Sequence, residues 1–299
     1  MKRLFALVVL LACSAFSDGD NTIGPPTYLW TCTYAIEDYE GYEGNLPRSF
    51  AHANRFVSHL RTRMGQYQSS VSFFHYDSAR NREANLPRLI ANSNSCEMTL
   101  FVGHGGPETF AMFPNSTPGT GIDYVIPGDR SYGGWTRWAL GDACQVLKRG
   151  VSGLTDNSNY GYKYYFGGAH AVVSHRANTY WFYESDCNVF GCDRYRSEYF
   201  YDSFAVYWSP GSYSIWDSWH LSYRDRIYSR GWPGSPAIVY MTFDIGGGTT
   251  VAGKQEYSNL QYNGSFNSIN YSGAPTNRLF RTYIDYGTPI YSPLSPPND

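Results

Sequence analysis

Charge is scarce in this chain: Asp, Glu, Lys and Arg together make up 16% of it, and the two signs nearly cancel, leaving a formal net charge of −2. There is no basic stripe to follow a phosphate backbone and no acidic tail, so a nucleic-acid partner is not expected. Long apolar runs are missing too. Beyond the amino-terminal segment no stretch approaches the roughly 20 apolar residues of a membrane-spanning helix, so no transmembrane segment is expected. Internal repeats are absent, which excludes solenoids and propellers. Gly246-Gly247-Gly248 has no accompanying lysine and opens no helix, which argues against a phosphate loop. His52 and His59 fall two turns apart on one predicted helix, with no carboxylate pair to complete a zinc site. Neither a metal nor another cofactor is expected.

What the chain does have begins with a targeting signal, residues 1–17. Lys2 and Arg3 precede an apolar run from Leu4 to Ala12 that is too short to cross a bilayer. Ala15-Phe16-Ser17 is a small-x-small cleavage site, which would release a soluble protein. Leu10-Leu11-Ala12-Cys13 resembles a bacterial lipobox, which would leave Cys13 lipidated. The expected location is extracellular or periplasmic, with a lipid anchor at Cys13 in the cell envelope as the alternative. The 28 tyrosines suit the rigid, half-polar surface of such a protein. The sequons at Asn115, Asn263 and Asn270 matter only in a eukaryotic source.

Processing leaves five cysteines: Cys32, Cys96, Cys144, Cys187 and Cys192. An oxidising compartment favours pairs. Cys187 and Cys192 are close enough to staple a local loop. Cys32 and Cys96 each precede a strand-like run, and neighbouring parallel strands would bring them together. Cys144 is then single, a candidate reactive thiol, with burial or a different pairing as the plain alternative.

Strand and helix alternate along the chain. Leu29 to Ile36, Ser70 to Tyr76, Met98 to Val102, Trp135 to Leu140, Ala169 to Ser174 and Pro236 to Phe243 read as strands. Phe50, Ala53, Val57, Leu60 and Met64 repeat at helical spacing, with Ser49 as N-cap and Gly65 as stop. Poorer helices are predicted over Ala79 to Ala91, which Pro87 interrupts, and from Gln145 to Arg149. Ser214 to Arg230 is a further helix, with Trp216, Trp219 and Tyr223 among its buried candidates. Pro107 to Gly134 reads as a long surface excursion, and residues 176–200 as an insertion held by Cys187 and Cys192. The expected fold is α/β, with a mostly parallel central sheet flanked by helices on both faces. Residues 18–245 form the domain, and residues 246–299 a loop and edge-strand extension packed on it.

Two residues stand at predicted strand ends, where open α/β sheets carry their chemistry: His104 in Gly-His-Gly-Gly and Cys144 in Gly-Asp-Ala-Cys. A cysteine nucleophile needs a neighbouring base to raise its thiolate fraction, and a histidine can then protonate the leaving amine. The backbone N–H groups of Cys144 and Gly105 are the natural oxyanion donors. A thiol at the start of a helix would also gain from its dipole.

TLFVGHGG and WALGDAC, in this order on two apolar strands, resemble the motif pair of the caspase-like cysteine peptidases, which include caspases, metacaspases, legumains, gingipains and separases. The blocks WALGDACQVL, FGGAHAVVSH and SIWDSWHLSYRDR extend the resemblance to an uncharacterised microbial family of that type, over roughly residues 29 to 245. The resemblance implies a caspase-like three-layer sandwich and an endopeptidase with His104 and Cys144 as its dyad. It also implies a pocket for a basic side chain lined by Asp142, which corresponds to a metacaspase pocket residue, and reinforced by Glu37 and Asp38. A helix cap is the plain alternative for Asp142.

The expected partner is a peptide or protein substrate, bound by a monomer. Two other readings remain at this point: an inactive caspase-like scaffold that binds through Tyr-rich loops, and an acyltransferase or amidase using the same dyad. His170 and His175, which bracket a predicted strand, read as structural, as does His220 beside the helical tryptophans.

Overall fold

Runs rich in Thr, Val and aromatic residues form the strands, whose side chains alternate between the two faces of a sheet. In the computed structural model the described residues are 23–24, 28–40, 44–67, 72–75, 79–85, 89, 96–106, 109–113, 123–125, 136–147, 169–176, 186–188, 191–193, 198–226, 235–244, 250–252, 261–262, 279–285 and 288–293. Residues 1–17 with Cys13, the three sequons and Gly246-Gly247-Gly248 lie outside them.

The elements run β1 (Ile23–Gly24), β2 (Tyr28–Ala35), α1 (Ser49–Tyr67), β3 (Ser72–His75), β4 (Ala79–Arg80), a 3-10 turn (Asn81–Glu83) and β5 (Met98–Val102). Next come β6 (Gly105–Gly106), β7 (Thr109–Met112), β8 (Asp123–Val125), β9 (Trp138–Asp142), β10 (Ala171–His175), β11 (Asp186–Asn188) and β12 (Gly191–Asp193). The last are α2 (Glu198–Trp208), α3 (Ile215–Arg226), β13 (Pro236–Asp244), β14 (Thr250–Ala252), β15 (Gln261–Tyr262), β16 (Leu279–Asp285) and β17 (Thr288–Pro293).

The chain is a mixed α/β protein with a mostly parallel sheet. Its strands lie in the order β17-β16-β13-β10-β9-β5-β2-β3, with β4 beside β2 and β14 beside β13. β3, β2, β5, β9 and β10 are parallel neighbours, while β13, β16 and β17 add antiparallel edges. The parallel part winds outward from β2 in both directions. The boundary between β2 and β5 is therefore the switch point, where the carboxyl ends of the strands leave a crevice. Ala35, Val102 and Asp142 sit side by side in register at that edge.

Strand alternation divides the core in two. Leu29, Met98, Leu100, Val102, Trp138, Leu140, Val173 and Ile238 face α1, α2 and α3, meeting Phe56, Leu60, Phe204, Trp208 and Trp219. Trp216 and Tyr223 are buried in the same layer, as the helical spacing predicts. Cys32, Tyr34, Phe101, Ala139 and Val172 face the opposite side, under Ala84, Leu89, Phe110 to Phe113 and the turn at Ala143 to Leu147. Cys32 and Cys96 form a disulfide that ties β2 to the chain entering β5, with their Cα atoms 5.9 Å apart. Among the described residues no helix is long and apolar enough to cross a membrane.

Several expectations change. α1, α2 and α3 cover one face; on the other, the described residues include the β6-β7 hairpin, the turn at Ala143 to Leu147 and the helical residue Leu89. Ala79 to Glu83 is not α-helical: β4 pairs with β2, Asn81–Glu83 is a 3-10 turn, and Asn81 takes a left-handed φ of 49°. The helix expected at Gln145 does not start there, because Gln145 has φ 58° and residues 144–147 form turns; residues 148–149 lie outside the described set. Within the stretch read as a surface excursion, Thr109 to Phe113 are buried. Ser49 does not cap α1 with its side chain; its hydroxyl is directed back at the carbonyls of Ile36 and Leu46, at 2.7 and 2.9 Å. α2 has no counterpart in the periodicity reading. β16 pairs with β13, so part of the carboxyl-terminal segment belongs to the main sheet.

Candidate active site

Val102 of β5 and Asp142 of β9 are register partners, and the Gly103 N–H donates to the Asp142 carbonyl at 3.2 Å, carrying the ladder one residue further. His104 and Cys144 each follow two positions beyond that pair. The next residue brings the two strand tips into contact. A Cβ on Gly105 would fall 2.8 Å from the Cys144 carbonyl oxygen, 2.9 Å from the Val146 side chain and 3.0 Å from the Ala143 Cβ. Only glycine fits there, because a backbone oxygen cannot give way as a flexible side chain can. The Ala111 N–H donates to the His104 carbonyl at 3.0 Å, which makes Gly105 and Phe110 a non-hydrogen-bonded pair of the β6-β7 hairpin. The Gly105 N–H is therefore not consumed by β7.

His104 and Cys144 are both partly exposed, and among the described residues Cys144 is in no disulfide. The His104 Nε2 lies 2.5 Å from the Gly44 carbonyl oxygen. A carbonyl only accepts, so Nε2 carries the hydrogen in the neutral ring and Nδ1 keeps its lone pair as the basic nitrogen. The Tyr39 hydroxyl accepts the His104 backbone N–H at 2.7 Å, and its ring lies 4.9 Å from the imidazole. Residues 144–147 form turns, so no helix starts at Cys144 itself.

Asp142 faces the helices. The residue is 8% exposed, and its carboxylate accepts a hydrogen bond from the Tyr201 hydroxyl of α2. Burial, and then the charge and hydrogen bond of Asp142, push the Tyr201 phenol well above its usual range, so it stays a donor. His175, at the carboxyl end of β10, has its Nε2 4.0 Å from Asp142 Oδ1. Burial lowers its pKa to about 3. At that distance and with a neutral ring, the contact is not an ion pair. Asp142 thus takes a hydrogen bond from within the fold.

The other two acidic residues are already engaged. The Glu37 carboxylate pairs with Arg80, and that of Asp38 accepts the Glu40 N–H at 2.7 Å. The backbone N–H groups of Glu37 and Asp38 both point at the Asn81 side-chain oxygen, at 2.8 and 3.4 Å. His170 lies at the opposite end of β10 from the site. His220 stacks on Trp216, His59 pairs with Asp202 of α2, and His52 packs edge-on against Tyr201.

Tyr39, Gly44 and Tyr201 escaped the sequence reading. Nothing distinguishes two tyrosines among 28, and Gly44 acts through a carbonyl that every residue possesses. No family model matches the chain, and a search of curated proteins returns no match.

Proposed function

We propose that the chain is a secreted cysteine endopeptidase of the caspase-like type, with Cys144 as nucleophile and His104 as base. The observation that carries this reading is the contact of Gly105 with the Cys144 backbone, which brings the two strand tips together, with the His104 Nε2 held by the Gly44 carbonyl. In the proposed reaction His104 Nδ1 takes the thiol proton, and the thiolate adds to the peptide carbonyl carbon. The N–H groups of Gly105 and Cys144 receive the oxyanion. As the C–N bond breaks, His104 returns the proton to the leaving amine. Water, deprotonated by His104, then hydrolyses the thioester and frees Cys144.

A three-layer sandwich is the finer form of the fold in this reading, supported by the sheet order and the α1–α2–α3 layer. Preference for a basic side chain at the cleavage point rests on Asp142, whose carboxylate stands at the same strand edge and is aimed by Tyr201. Glu37 and Asp38 add little, since Arg80 and the Glu40 N–H already occupy them. Secretion is supported by the Cys32–Cys96 disulfide, a bond that belongs to oxidising compartments.

The test is labelling by a chloromethyl ketone carrying Lys or Arg. Wild type should label at Cys144, and Cys144→Ala should lose both labelling and cleavage, by a factor on the order of 10³ or more. Asp142→Asn should lower kcat/KM for basic substrates about tenfold or more while sparing neutral ones. A wild-type protein that labels with no probe of any side chain rules out the peptidase reading.

A further inference from the structure

Tyr39 turns into the core on the face opposite the helices and is fully buried. Its hydroxyl accepts the His104 N–H at 2.7 Å and is directed at the Ala111 carbonyl at 3.3 Å. The Ala111 N–H in turn donates to the His104 carbonyl at 3.0 Å. Three residues thus form a closed ring of hydrogen bonds through the N–H and the carbonyl of His104. The Tyr39 ring lies 4.9 Å from the imidazole and stacks on Phe113 at 6.1 Å. Room for the hydroxyl exists only because residue 103 has no side chain: a Cβ on Gly103 would stand 2.6 Å from it.

A buried tyrosine needs a single partner for its hydroxyl, and many carbonyls would serve. The arrangement here does more. His104 stands between Gly103 and Gly105, the two residues that least constrain the backbone around them. Ordering such a stretch costs conformational entropy, and the restraint has to come from outside it. It comes from one loop, the segment after β2: Tyr39 holds the backbone of His104 and Gly44 holds its ring. That loop is itself tied back by the Leu46 N–H to the Glu37 carbonyl at 2.7 Å.

We propose that Tyr39 is the positioning residue of this site, fixing the His104 main chain so that its imidazole stays beside the Cys144 sulfur. The proposal rests on the reading of His104 and Cys144 as a working pair. A base must stay within hydrogen-bond reach of the proton it takes, and a misplacement of about 1 Å can cost on the order of 100-fold in rate.

Tyr39→Phe keeps the ring and deletes the hydroxyl. The readouts are the rate of Cys144 alkylation by iodoacetamide as a function of pH, and amide hydrogen exchange, each on wild type, Tyr39→Phe and His104→Ala. Alkylation near neutral pH should slow about tenfold in both variants. The His104 amide of Tyr39→Phe should exchange at least about tenfold faster while the β5 amides keep their protection. With a cleavable substrate, kcat should fall and KM should stay within about twofold. If His104→Ala slows and Tyr39→Phe does not, Tyr39 has no positioning role and the pair stands. If His104→Ala alkylates as wild type does, the pair itself is wrong and the role of Tyr39 falls with it. Slow alkylation accompanied by loss of β5 protection would mean a merely structural tyrosine, and would also overturn the proposal. Gly103→Ala, which drives a Cβ into the same hydroxyl, is the second variant should Tyr39→Phe not fold, and it must slow alkylation in the same way.

Discussion

Gly105 has no Cβ, and its contact with the Cys144 carbonyl needs that space. Gly105→Ala would set a Cβ 2.8 Å from a backbone oxygen, and relief requires moving one strand tip away from the other. Overpacking of this kind costs about 1–3 kcal/mol. The variant should therefore unfold at lower urea concentration with an unchanged m-value, and its Cys144 should alkylate more slowly than in wild type. Loss of stability without change at the thiol would separate the contact from the chemistry. Asp142 makes a different point. Two residues before the proposed nucleophile a carboxylate invites a role in binding, yet its hydrogen bond comes from Tyr201, a residue 59 positions away. Any specificity it confers depends on that partner, because a buried carboxylate stripped of its donor is costly.

At the scale of elements, legibility followed packing. β5 matches its predicted bounds of Met98 to Val102 because it is buried on both faces and reads as an unbroken apolar run. α1 was legible from the spacing of Phe50, Ala53, Val57, Leu60 and Met64; Ala53, Leu60 and Met64 are buried, Phe50 and Val57 partly so, and Phe56, outside that pattern, is buried as well. α2 was not: Glu198-Tyr199-Phe200-Tyr201 has no polar stripe to mark a period, and the helix exists because Tyr201, Phe204 and Trp208 pack on α1, α3 and the sheet. The Cys32–Cys96 bond links β2 to β5 across a sequence separation of 64. Opening it in the Cys32→Ala/Cys96→Ala variant should lower stability by about 2–4 kcal/mol, read by chemical denaturation. The ribbon of β11 and β12 sets Cys187 directly opposite Cys192 in register, which suits a second bond. Mass analysis of alkylated protein should find Cys144 as the one labelled thiol; labelling of Cys187 or Cys192 would exclude that second bond.

For the whole molecule the helix-side core carries a pH dependence. Burial lowers the pKa of both His52 and His175 from 6.5 to about 3, with Arg48 and Arg55 adding a smaller push at His52. Below 6.5 the unfolded chain takes up protons that the folded chain refuses. Stability from these groups is therefore complete above that pH and is lost as pH falls from 6.5 toward 3, by roughly 1.4 kcal/mol per pH unit for each ring. Urea titrations at neutral pH and near pH 5 should show the loss, and His175→Gln should reduce it by about 2 kcal/mol. An unchanged difference would mean that His175 is already charged in the folded protein.

The order of residues alone was enough to place His104 and Cys144 at strand ends, to pair Cys32 with Cys96, and to indicate a mostly parallel α/β sheet. Alternation, run length and cysteine number are local properties, and they survive in one dimension. The fit of Gly105 against Cys144, the hold of Tyr39 and Gly44 on His104, and the turn of Asp142 toward Tyr201 arise only when segments distant in the chain meet. Their residue types are ordinary, and their roles come from where the sheet and its helix layer bring them.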